Sequence, residues 1–364
     1  MSHPRIRGFN GLRAIAVLLV FFEHRLPHGM LNPGGYGVRL FFVLSGFLII
    51  GGLARDRLKG TRGSRGRDIA HFYMKRALRI LPIYYLVIAT ATYLTLSGLV
   101  TVVTTNELAW HASHTTNIYE GRIIERWLPV FGHLWSLSVE EQFYLVAAPL
   151  VIFARGWRID KICLAMIGAA AVWLVLQSVT GTPKIAIITD SVVNFGVMAI
   201  GGFLATSSAS WLERIKAIEP PMWLLAFFWS PAILGLIGSP LVFEFLTAFI
   251  SGGLILSVSA NQHSRLVDRL EGRFLASLGQ ISYGFYLYHY FITAANLRWA
   301  TGGLLDLEGL PLLPLTIVLF AITYGISRIS WMVVEQPALA LKNRLVTRRN
   351  ERTGAEDLLV SACN

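Results

Sequence analysis

The chain has 364 residues, 54% of them hydrophobic and 15% charged, with a mean hydropathy of +0.56 and a formal net charge of +11 at pH 7. Soluble domains average about 25% charged residues, so this composition excludes a disordered chain and argues against a soluble enzyme. Two unclustered cysteines, Cys163 and Cys363, supply neither a disulfide framework nor a zinc site.

In chain order, apolar runs fall near 9–27, 36–53, 78–99, 133–154, 161–179, 184–205, 222–238, 241–260, 274–297 and 311–334. Each is close to the roughly 20 residues needed to cross a hydrocarbon core. The expectation is an all-α integral membrane protein of about ten transmembrane helices. One membrane-embedded domain fills 1–340, and a basic, flexible cytoplasmic tail follows at 341–364. No small-residue cleavage signal follows the first run, which is therefore expected to stay as a span. With the N-terminus inside, most of the 32 Lys and Arg residues fall on inner segments. Arg25, Arg39, Arg122, Arg126, Lys184 and Arg298 fall on outer segments or outer helix ends, and Arg13 and Arg328 lie within spans. That bias sets both termini in the cytoplasm. The basic surplus beside apolar runs suits the anionic inner face of a membrane, not nucleic acid. Segment 55–68 reads as a basic, Gly-rich inner loop, and 100–132 as the longest outer loop, with Trp110, His111, His114 and Trp127.

Ionisable groups inside spans are costly and point to function or to a partner. The first span holds Arg13, Glu23 and His24. Arg13 and His24 share a helix face about 16 Å apart along the axis, Arg13 near the inner surface and His24 near the outer. Alone, Arg13 also reads as a snorkelling arginine and His24 as a structural histidine. The fourth span opens with HLWSLSVEEQFYLV, residues 133–146, and puts Glu140 and Glu141 at the depth of His24. Either a Glu–His pair for general-base chemistry or a helix-locking ion pair with Arg25 or Arg39 accounts for them. In the third span Lys75, Arg76 and Arg79 form one cationic patch by helical spacing. It fits the phosphates of a cytoplasmic ligand or plain topology anchoring. His289 lies in SYGFYLYHY, Glu335 near the inner face at the end of the tenth span, and Asp190 and Asn194 one turn apart in the sixth. There is no P-loop, dinucleotide fingerprint or GxSxG elbow. His111 and His114 lack further ligand spacing, so no metal is expected. Ser45, on an apolar helix with no adjacent base, reads as packing.

Six segments, in order, resemble the membrane-bound acyltransferase 3 family over about residues 8–340. They are FNGLRAIAVLLVFFEH (9–24), GYGVRLFFVLSGFLI (35–49), FYMKRALRILPIYYL (72–86), HLWSLSVEEQFYL (133–145), LGQISYGFYLYH (278–289) and VEQP (334–337). The family includes O-acetylases of lipopolysaccharide, exopolysaccharide and Nod factor. Arg39 stands where the family is often acidic, Glu-Gln-Pro replaces the commoner Glu-Lys-Pro, and the outer hydrolase-like domain fused in some members has no counterpart.

The resemblance implies a membrane-bound O-acyltransferase of the bacterial inner membrane. It would carry an acyl group, usually acetyl, from cytoplasmic acyl-CoA to a hydroxyl of an exopolysaccharide, O-antigen or lipid-linked oligosaccharide at the outer side. It makes Arg13 and His24 functional, with Glu140 or Glu141 supporting. Lys75, Arg76 and Arg79 would then grip the CoA phosphates. Ser45, His133, Trp135, Asp190, Tyr283, His289 and Glu335 stand as substrate or structural support. Expected partners are a lipid-linked glycan, membrane lipids and polysaccharide-assembly proteins, and no nucleic acid. Direct transfer and an acyl-histidine relay both stay open, as does the oligomeric state. The competing readings are a ten-helix transporter, a structural subunit of a polysaccharide export complex, and a multi-spanning glycosyltransferase.

Overall fold

A computed structural model describes residues 6–25, 33–58, 65–97, 104–154, 158–237, 240–293, 296–298, 303, 307 and 309–341. Every regular element among the described residues is helical. The first three are α1 (Phe9–Glu23), α2 (Pro33–Leu58) and α3 (Arg65–Leu96). Then α4 (Thr105–Ala112) and α5 (Thr116–Ile118) lead through a π-helical turn, Tyr119–Ile123, to α6 (Leu134–Phe153) and α7 (Ile159–Val179). Next come α8 (Lys184–Ile188), α9 (Ser191–Thr206), α10 (Trp211–Ala217), α11 (Pro220–Ile237) and α12 (Pro240–Ala260). The chain continues as α13 (Arg265–Leu270), α14 (Arg273–Gln280), α15 (Ser282–Tyr288) and α16 (Leu312–Ser330), the last extended by a π turn at Trp331–Glu335.

Seven helices are long and apolar enough to cross a membrane: Pro33–Arg57, Asp68–Leu96, Leu134–Phe153, Ile159–Val179, Lys184–Thr206, Phe243–Ala260 and Leu312–Leu341. The protein is multi-pass. The other expected spans are also helical, but α1 has only 15 residues and the ninth apolar run is divided at Ile281. The sixth run is divided too, because the Asp190 side chain accepts from Val193 N–H at 3.0 Å and starts α9 afresh.

Residues 104–132, expected within the longest outer loop, depart from that loop character. Thr104 and Glu107 form a capping box, Thr104 Oγ1 accepting from Glu107 N–H at 3.3 Å and Glu107 Oε2 from Thr104 N–H at 3.2 Å. Polar surface on short helices hides this from a search for apolar periods. Of the basic segment 55–68, residues 55–58 close α2 and 65–68 open α3. Residues 59–64 and the tail at 342–364 lie outside the described residues.

Packing is set by close backbone approach. A Cβ on Gly46 of α2 would meet Met198 O at 1.8 Å, and one on Gly201 of α9 would meet Val43 O at 2.0 Å. Small residues that let helices touch backbone to backbone supply dispersion contacts that apolar lipid cannot. In the same way a Cβ on Gly279 of α14 would meet the Asn10 carbonyl oxygen at 1.8 Å. This holds α1 between α2 on one side and α14 and α15 on the other. The chain before α1 is tied to the segment around α13: Arg7 donates to Asp268 at 2.7 Å and Gly8 N–H to Glu271 at 2.7 Å. Val172, Leu176 and Val179 on α7 are exposed, the face such a helix turns to lipid.

Candidate active site

Four helices and α15 enclose a cavity of about 110 Å³. α1 contributes Arg13, α2 Ser45, α3 Arg76 and Arg79, α6 Ser136, Glu140 and Tyr144, and α15 Tyr283 and Tyr286. Three guanidiniums against one carboxylate leave the lining cationic. Glu140 is fixed by two donors, Ser45 Oγ and Tyr144 OH. Asn10 Oδ1 accepts from Arg13 at 3.3 Å. Arg76 lies over the Tyr144 ring, 5.1 Å from its centroid, and over Phe72 at 5.7 Å. Arg79 is exposed.

At the other end of α1 a second group assembles. His24 is exposed, and its Nδ1 lies 2.9 Å from Nε2 of His289. His289 is fully buried and donates from Nδ1 to the Tyr286 carbonyl at 2.6 Å. Arg25 donates to the carbonyls of His289 and of Ile292, the latter at 2.7 Å, so a cation closes the end of α15. His133 is buried beside them, its ring stacked on Tyr290 at 4.9 Å and 5.2 Å from that of His289. Tyr286 joins the two groups. Its hydroxyl lies 2.6 Å from Ser136 Oγ and donates to the His133 carbonyl at 3.0 Å, while its own carbonyl anchors His289.

A family model described as an acyltransferase domain matches residues 6–332. The chain belongs to the acyltransferase 3 family. It is 26% identical to the peptidoglycan O-acetyltransferase OatA of Listeria monocytogenes, over 92% of this chain and 56% of that protein. It is 25% identical to nodulation protein 10 of Rhizobium leguminosarum bv. viciae, over 86% and 84% of the two chains. The O-acetyltransferase OatA of Staphylococcus aureus is 25% identical over 80% and 51%. The chain thus spans about half the length of these two O-acetyltransferases. No solved structure matches it.

The structure redistributes several expected site residues. The Glu–His pairing inferred from equal depth is replaced: His24 Nδ1 meets His289, whereas Glu140 is held by Ser45 and Tyr144 in the cavity. Glu141 turns toward α3 and α15, where it interacts electrostatically with Arg76, Tyr84 and Tyr283. Neither Arg25 nor Arg39 pairs with these glutamates; Arg39 forms a buried ion pair with Glu244 of α12. The basic patch of α3 divides, because Arg76 and Arg79 line the cavity while Lys75 faces Asp56. Ser45 has the carboxylate neighbour that the sequence did not show.

Trp135 packs edge-on against Phe42 at 6.0 Å and tilts onto Trp127 at 6.2 Å. Asp190 caps α9 and accepts from Arg122 at 3.0 Å and Trp173 at 3.1 Å, fastening the Tyr119–Ile123 turn to α7 and α9. Glu335 is buried in the final π turn, against Gly284 and in the field of Arg79.

Ser136, Tyr144 and Tyr286 escaped the sequence reading. The signal was present: Ser136, Glu140 and Tyr144 repeat at i, i+4, i+8 on one face, and Tyr283, Tyr286 and His289 at steps of three.

Three titratable groups of segment 104–132 are neutralised by burial. Desolvation pushes Glu120 up to about 9, against the opposing effect of its hydrogen bond from Leu128 N–H at 2.8 Å. Burial takes His111 and His114 down to about 4. Among the described residues, no group of three or more His, Cys, Asp or Glu side chains is placed to hold a metal.

Proposed function

We propose that the protein is an acetyl-CoA-dependent O-acetyltransferase of the bacterial inner membrane. It acts on a glycan hydroxyl presented at the outer surface, on a chain with about ten spans and both ends cytoplasmic. The observation that carries this reading is the pair of sites on α1: Arg13 in a cationic cavity, and about 16 Å along the same helix an exposed His24 bonded to His289. Two contacts between segments expected on the same side support this sidedness. Arg7 contacts the inner segment around Asp268, and Arg122 contacts Asp190 at the expected outer end. The name of the Listeria relative gives peptidoglycan as that protein's acceptor, which supports a glycan as the acceptor class here.

The donor enters from the cytoplasm. Arg76 and Arg79 receive its phosphates, because guanidinium groups bind phosphate oxygens in pairs. The cavity is too small for a whole CoA, since pockets for drug-sized ligands run to about 300–1,000 Å³; it suits the narrow acyl-pantetheine end. The acceptor hydroxyl gives its proton to His24 as its oxygen attacks the thioester carbonyl. The C–S bond then breaks, and the leaving sulfur takes up a proton as His24 gives one back, so CoA departs as the thiol. Arg13 offsets the negative charge of the donor phosphates.

The direct test is titration of CoA into purified protein in nanodiscs. Arg76→Ala and Arg79→Ala should each weaken CoA binding at least tenfold. Unchanged affinity in both rejects this cavity as the donor site.

A further inference from the structure

We infer that His289 is a positioning residue: it fixes the tautomer of His24 so that the lone pair resides on Nε2. This rests on the reading of His24 as the general base. One hydrogen-bonded chain fixes the proton positions. A carbonyl oxygen only accepts, so the Tyr286 carbonyl at 2.6 Å requires a proton on His289 Nδ1. His289 is fully buried, and the Arg25 guanidinium is bonded to its carbonyl. A second cation there would be desolvated beside the first, so His289 is neutral and its Nε2 carries a lone pair. His24 Nδ1 lies 2.9 Å from that lone pair and must bring the proton. A neutral imidazole protonated at Nδ1 has its basic nitrogen at Nε2, and His24 is the exposed member of the pair. The ring planes lie within 29° of each other with centroids 5.1 Å apart, compatible with edge-to-edge joining.

The arrangement does with a neutral acceptor what the buried carboxylate does in a Ser-His-Asp triad: it selects one tautomer and one ring orientation. It also explains why neither Glu140 nor Glu141 is needed beside His24. Tyr286 couples the device to the cavity, because the residue whose carbonyl anchors His289 also lines the donor side.

The test uses the full chain in nanodiscs with two readouts. Nitrogen NMR of labelled histidine should assign neutral His24 a protonated Nδ1 and an unprotonated Nε2. The opposite tautomer overturns the inference whatever the variants do. In turnover, His289→Leu should lower kcat by about 10²- to 10⁴-fold, the range of lost base orientation, with KM for both substrates within about threefold. His289→Gln offers an amide oxygen to Nδ1–H and should recover at least tenfold of that loss. Equal impairment of the two variants, or His289→Leu within threefold of wild type while His24→Ala is inactive, overturns the positioning role alone. Wild-type turnover in His24→Ala instead overturns the base reading beneath it.

Discussion

Ser45 on α2 donates its hydroxyl hydrogen to Glu140 on α6, across the interface that closes one wall of the cavity. Glu140 also accepts from Tyr144 and sits in the field of Arg13 and Arg79. Removing the carboxylate leaves those cations uncompensated, the costly way to break a buried charge cluster. Glu140→Gln should lower kcat at least tenfold and depress the melting temperature. Ser45→Ala loses one hydrogen bond to a charged acceptor, worth about 1.5–3 kcal/mol, and should show the smaller thermal shift. Thermal unfolding in detergent with parallel turnover assays checks the order; a Glu140→Gln protein as active and stable as wild type contradicts it.

Arg39 and Glu244 pair with both side chains 2% exposed, Arg39 Nε donating at 2.6 Å and a second nitrogen completing the fork. Arg39→Ala or Glu244→Ala should each cost about 3–5 kcal/mol, because the remaining charge is stranded. Replacing both by leucine should recover much of the loss. A double-mutant cycle read by thermal unfolding checks this, and additive single losses count against it.

The parts of the site legible in the sequence were those fixed by spacing on one helix. Arg13 and His24 are eleven residues apart, so helical geometry alone puts them on one face at opposite ends. Arg76 and Arg79, at i and i+3, follow the same rule, and both reach the cavity. What spacing could not give is which helix lies opposite. His289 is 265 residues from His24, and Glu244 is 205 from Arg39. Those neighbours depend on how Gly46, Gly201 and Gly279 let backbones meet. Depth made Glu140 look like the partner of His24, but depth fixes position along the membrane normal and says nothing about azimuth.

The α2–α9 crossing should tolerate no side chain at its centre. Gly46→Ala puts a Cβ 1.8 Å from Met198 O, and backbone oxygen cannot give way. Folded yield, read as the monodisperse peak in size-exclusion chromatography, should collapse. Gly52→Ala is the matched control on the same helix, with nothing within 4 Å of the new Cβ. It should be neutral or gain up to about 1 kcal/mol from helix propensity.

Stability should fall with rising pH through Glu120. Burial raises its folded-state value to about 9 from 4.5. The contribution is therefore complete below about pH 4.5. It declines as the unfolded state ionises, and is lost once pH passes about 9. Glu120→Gln mimics the protonated acid and keeps an acceptor for Leu128 N–H. The melting temperature of the variant relative to wild type should rise steadily from pH 5 to pH 9. A difference independent of pH contradicts a protonated Glu120.

Transfer across the bilayer is the most direct test of how the cavity and the histidine pair work together. Sealed proteoliposomes would be made with the cytoplasmic face outward, a lipid-linked glycan acceptor inside, and radiolabelled acetyl-CoA added outside. Label should appear on the enclosed glycan with the wild-type chain, and be lost with His24→Ala while CoA still binds. Label on the glycan at wild-type rate with His24→Ala would contradict a reaction centred on His24.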